Sequence, residues 1–104
     1  MSDQNVPSLF NELKKENHIF LNYLKAKFPV FHNSNFFDKD LQYGIIGFLE
    51  NKGTNISFEQ AEKLAILLSD FYVNQGIFIK ISANTWRLNY PDFVTAKPGD
   101  PFSF

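Results

Sequence analysis

Apolar positions recur along this chain at two periods, and the change from one to the other divides it. Over 8–27, Leu9, Phe10, Leu13, Phe20, Leu21 and Leu24 return at steps of three and four, with Phe28 just beyond. That spacing predicts a helix burying one face. Asn11, Lys14, Lys15, Asn22 and Lys25 take the opposite face. Pro7 suits a first helical turn, and Pro29 ends the run because a residue before proline is pushed out of the α region. The extended bias around Pro29 leaves room for a short strand within the connector, 29–35.

A second helix is predicted over 37–52, with Phe37, Leu41, Ile45, Phe48 and Leu49 as its buried stripe and Ser34, Asn35 or Asp38 as its cap. Gly44 and Gly47 each cost about 1 kcal/mol in a helix interior, so a neighbouring helix or an aromatic ring is expected to approach closely there. Gly53 reads as a left-handed cap. Ser57 followed by Gln60 is a capping box and starts a third helix over 58–74, with Gly76 just past its end. Ala61, Leu64, Ala65, Leu67, Leu68, Phe71 and Tyr72 give that helix an apolar face wide enough to pack on two sides.

Then the period drops to two. Ile77, Ile79 and Ile81 alternate with Phe78 and Lys80, and Trp86, Leu88 and Tyr90 alternate with Arg87 and Asn89. The two runs predict a β-hairpin turning over 82–85, with Asn84 as its left-handed residue. Placing the Ile, Trp, Leu and Tyr side chains inward leaves Phe78, Lys80, Arg87 and Asn89 on the outer face, with Phe78 either open to a partner or covered by the tail. Trp86 then reads as a core anchor, or else as an interface residue. The expected organisation is one α+β domain over 1–90 with three helices and a two-stranded C-terminal hairpin, followed by a tail or wrapped arm over 91–104.

Three helices and then a hairpin is the order of a winged helix, and the chain resembles that superfamily. Over 36–90 it also resembles DEP domains. The likeness lies in Leu49 at a helix end, Ser57-x-Glu59-x-Ala61-x-x-Leu64, Leu68, Gly76-Ile77 and Trp86-Arg87-Leu88. DEP domains serve signalling proteins in membrane targeting and protein contacts. The third helix is about one turn longer than their pattern. The basic loop they turn toward membranes is missing between the first two helices, so the resemblance implies protein contacts without the membrane role.

Composition narrows the chemistry. The chain has 104 residues, a formal net charge of −1 and no cysteine, which removes disulfides, thiolate metal sites and cysteine nucleophiles. No apolar run reaches the length of a membrane span and no leader is visible at the first residues, so a cytoplasmic protein is expected. Asp38 with Asp40, and Glu59 with Glu62, read as solvated helix-start acids. His18 and His32 read as ordinary surface or boundary histidines, with a site joining one of them to the other or to a carboxylate through folding as the alternative, and no glycine-rich phosphate loop is present. No catalytic residue, metal ligand or cofactor is therefore expected.

The remaining reading is a small adaptor that binds a protein partner or itself. Phenylalanine is unusually frequent, at 13 residues, and the tail ends in Phe102 and Phe104. The expected contact surface is Phe78, Lys80, Arg87, Phe102 and Phe104, with rings giving area and cations orienting an acidic partner. The two tail rings either fold back onto the domain or insert into a neighbour, which would give a homodimer, the commonest soluble assembly. The alternative is a winged-helix DNA-binding regulator with Lys80 and Arg87 on phosphates. Against it, the third helix carries Glu59, Glu62 and Asp70 against Lys63, the wrong sign for a helix meeting phosphate.

Overall fold

The first apolar stripe does not make one straight helix. The position three or four residues after Leu13 falls on Glu16 and Asn17, both polar, and the backbone leaves the helical region at Glu16 (φ −108°, ψ 27°). The Asn17 side-chain amide donates to the Lys14 carbonyl at 2.9 Å, a local bond that competes with the helical ladder. The result is two helices, α1 (Val6–Lys15) and α2 (Asn17–Lys27). The structure, a computed structural model, describes residues 6–28 and 33–89.

Strand β1 (Asn35–Phe37) follows, then α3 (Asp38–Asn51), α4 (Phe58–Asn74), β2 (Phe78–Ser82) and β3 (Thr85–Leu88). The fold is therefore α+β, with four helices where three were expected and a third strand added to the hairpin. The break at Glu16 lets α1 pack mainly on α4 while α2 packs on α3. Glu16 also forms an ion pair with Lys52 just past α3. The sheet is antiparallel in the order β1-β3-β2. Phe37 closes β1 with extended backbone and stands outside the α3 stripe. None of the three expected caps acts on α3, because Phe37 occupies the N-cap position without a side-chain bond.

Helix α4 starts as the capping box requires. The Gln60 backbone N–H donates to Ser57 Oγ at 3.1 Å and the Ser57 N–H donates to Gln60 Oε1 at 2.9 Å. Its wide apolar face packs against α1, α3 and β2. Gly53 and Gly76 end α3 and α4 at φ +87° and +79°, values that favour glycine. The hairpin turn needs no such residue at Asn84. Among the described residues, Asn33 is the non-glycine residue with positive φ.

The two interior glycines of α3 meet α2 side chains. A Cβ at Gly44 would run into Leu24, which is buried, while one at Gly47 would meet the hydroxyl of half-buried Tyr23. Burial, and secondarily the Glu50 carboxylate, raises the Tyr23 pKa above the ordinary value, which is about 10 for tyrosine.

Two predictions follow from this helix pair. Gly44→Ala gains about 1 kcal/mol of helix propensity but overpacks a site costing about 1–3 kcal/mol, so the urea midpoint should fall. Gly47→Ala should be neutral or stabilising by up to about 1 kcal/mol, because the Tyr23 ring can swing outward. Alkaline titration should show Tyr23 as well. Its phenolate forms more easily in the unfolded chain, which then binds fewer protons than the native state. The unfolding free energy should therefore decrease as pH rises above about 10, and Tyr23→Phe should remove that part of the decline.

Candidate interaction surface

Directly opposed residues in an antiparallel pair share a face, and this rule sorts the hairpin. Leu88 is buried and lies opposite Phe78, while Arg87 is exposed and lies opposite Ile79 on one side and Asn35 on the other. Phe78 is consequently on the inner face and is 1% exposed. Its ring packs against Tyr72, Trp86 and Phe36, with centroid distances of 4.9, 5.3 and 5.8 Å. The expectation of an outward Phe78 is overturned, since the larger ring fills the space between α4 and the sheet. Phe78 is a core residue and presents no surface to a partner.

The isoleucines take the reverse positions. Ile79 and Ile81 are 42% and 48% exposed, and Phe37 on β1 is 49% exposed. Ile81 stands at the irregularity between Lys80 and Ser82. Alternation points to the other phase, because Ile77, Ile79 and Ile81 form the more apolar row, and the phase is set instead by the single Phe78 ring seated against Tyr72, Trp86 and Phe36. Trp86 and Leu88 face inward as expected. The outer face of the sheet thus carries Phe37, Ile79 and Arg87, with Ile81 exposed at the bulge beside them.

Lys80 and Arg87, expected side by side, lie on opposite faces. Lys80 pairs with Trp86 on the helix side and reaches a cleft of about 350 Å³ whose lining includes Asp38, Ile66, Asp70 and Val73. Arg87 points to the outer face. Phe102 and Phe104, together with the rest of the tail over 91–104, lie outside the described residues.

A second cleft, of about 380 Å³, opens between the starts of α3 and α4, lined by Lys39, Tyr43, Phe58, Glu59 and Glu62 among others. The exposed rings of Tyr43 and Phe58 meet edge to face at 6.0 Å between centroids. Glu62 of this cleft and Ile66 of the first are one turn apart on α4, so the two clefts follow one another along the helix. Lys63 approaches Glu59 at 4.0 Å with both side chains well exposed, a contact worth little in water. Asp38 accepts a hydrogen bond from the Gln42 amide at 2.8 Å.

Among the described residues no three His, Asp or Glu side chains gather to hold a metal ion. No helix there is long and apolar enough to cross a membrane. His18 is exposed on α2 and lines neither cleft, and His32 lies outside the described residues.

The two faces of the hairpin predict opposite mutational costs. Phe78→Ala should destabilise the fold by about 3–5 kcal/mol, whereas Arg87→Ala should stay within about 0.5 kcal/mol of the parent. Thermal unfolding of the two variants checks this. Comparisons with protein-family models, curated proteins and solved structures return no match, which leaves the chain's own surface chemistry as the ground for a functional reading.

Proposed function

We propose that this chain is a small, non-catalytic, cytoplasmic adaptor of winged-helix-like frame that engages a protein partner or a second copy of itself through the outer face of its sheet. The observation that carries the reading is the group of Phe37, Ile79 and Ile81, exposed around Arg87 with no described residue covering them. Burying an apolar side chain of this size from full exposure yields about 1.5–3 kcal/mol, and with more than half of each already covered in the fold the three together contribute about 2–4 kcal/mol toward association. Arg87 is the chain's single arginine, a residue type enriched at interface hot spots. Here it would orient an acidic group at the rim. The frame is supported by the pair α3–α4 followed by a hairpin packed on α4.

The order of elements equally favours the DNA-binding alternative, but the charges weigh against it. The exposed acids Glu59, Glu62 and Asp70 of α4 would face a duplex against Lys63 alone. Lys80 and Arg87 sit on opposite faces of the hairpin, so a backbone that meets one is turned away from the other.

Sedimentation of the full chain beside an Ile79→Asp, Ile81→Asp variant tests the reading. Self-association that the variant abolishes without lowering the thermal midpoint is expected, and it should change little between roughly 50 and 200 mM salt. Duplex DNA binding that collapses over that range would support the regulator instead. A full chain that stays monomeric at high concentration would leave a different protein as the occupant of the face.

A further inference from the structure

The sheet face is not alone in being exposed among the described residues. The outer side of α4 carries Glu59, Glu62, Ile66, Asp70 and Val73 at steps of three and four, so they form one stripe. From Glu59 to Val73 the stripe runs about 21 Å at 1.5 Å per residue. It is walled at one end by Lys39 and Tyr43 of α3 and at the other by Lys80 and the hairpin turn, and both clefts open onto it. Exposed apolar side chains stand along it between the carboxylates: Ile66 is 60% and Phe58 64% accessible.

We infer that this trough is a docking site for a basic amphipathic helix of another protein. The stripe's length matches a partner helix of about four turns. The exposed apolar side chains Ile66 and Val73 and the Tyr43–Phe58 ring pair provide anchor contacts at intervals that a helix-in-groove partner uses. The rim sets the charge. Asp38, Glu59, Glu62 and Asp70 face the trough against Lys39 and Lys80, four carboxylates to two ammonium groups. Such a rim favours Lys and Arg flanking the partner's apolar stripe and disfavours acidic peptides and nucleic acid. The chain's own residues 90–104 fit poorly. They carry Asp92 and Asp100 against Lys97, a net acidic charge that an acidic rim disfavours. The site shares no residue with the sheet face and does not depend on that reading.

The test is a titration of isotope-labelled full chain, followed by NMR, with a synthetic helical peptide of about eighteen residues that has a leucine stripe flanked by Lys and Arg. A control peptide keeps the leucines and exchanges every flanking base for Glu. The basic peptide should shift the amide signals of Tyr43, Phe58, Glu62, Ile66 and Val73 and bind at least about tenfold tighter than the acidic one, a gap of about 1.4 kcal/mol. A Glu62→Lys, Asp70→Lys variant, altered only at exposed sites, should lose at least about tenfold in affinity without a lower thermal midpoint. Asn22→Ala, on the exposed side of α2, should leave affinity unchanged. The inference is overturned by an absence of shifts, by equal affinity for the two peptides, or by shifts confined to the sheet face. Contacts from Phe102 or Phe104 to Ile66 in the free chain would also overturn it, since the tail would then be the occupant. Shifts of the same signals on simple concentration of the chain would overturn it in favour of a second copy.

Discussion

The packing of Phe78 between α4 and the sheet is the contact on which the rest of the structure depends. Its ring lies 4.9 Å from that of Tyr72 on α4, 5.3 Å from Trp86 on β3 and 5.8 Å from Phe36 on β1. One side chain thereby joins the longest helix to all three strands. With a side-chain period of two, an inward Phe78 sends Ile79 outward, and its pairing with Leu88 places Arg87 opposite Ile79. The same anchor decides which cation meets which surface: Lys80 goes with Trp86 toward α4, and Arg87 goes with the isoleucines.

Helix α4 is the other organising element, and its two sides do different work. The side carrying Ala61, Leu64, Ala65, Leu68 and Tyr72 is buried against α1, α3 and β2. The opposite side mixes exposed Ile66 and Val73 with carboxylates and borders the clefts toward the start of α3 and the hairpin. Exposed apolar residues scattered singly are ordinary on a protein surface. Here several of them lie on the sheet face and along α4, with different charges at their borders: a guanidinium beside the isoleucines and carboxylates beside Ile66. The two surfaces therefore differ in the chemistry they present.

Much of the local structure was legible in the residues. The capping box at Ser57 and Gln60, the 58–74 extent of α4, the left-handed Gly53 and the close approach of α2 to Gly44 and Gly47 all rest on short-range stereochemistry. The missed features are mostly non-local. The split at Glu16 has a local signal in polar Glu16 and Asn17, but the separate packing of α1 on α4 and of α2 on α3 that it allows is long-range. β1 is three residues long and exists because β3 offers it a pairing edge. The α4 trough leaves no local pattern, because it joins Asp38, Lys39, Tyr43 and Lys80 to α4 across long sequence separations.

By itself the sequence determined the fold class, the extents of the two longest helices, the turn positions and the sign of the charge on α4. Each follows from propensity, capping chemistry or composition, acting over a few residues. Tertiary structure alone decided the phase of β2 and therefore what the hairpin shows to solvent. The row Phe78, Lys80 and Ser82 is less apolar than the row Ile77, Ile79 and Ile81, yet Phe78 is the side chain turned inward. The choice falls to the shape of the space beneath the sheet, which a phenylalanine ring held by Tyr72, Trp86 and Phe36 occupies.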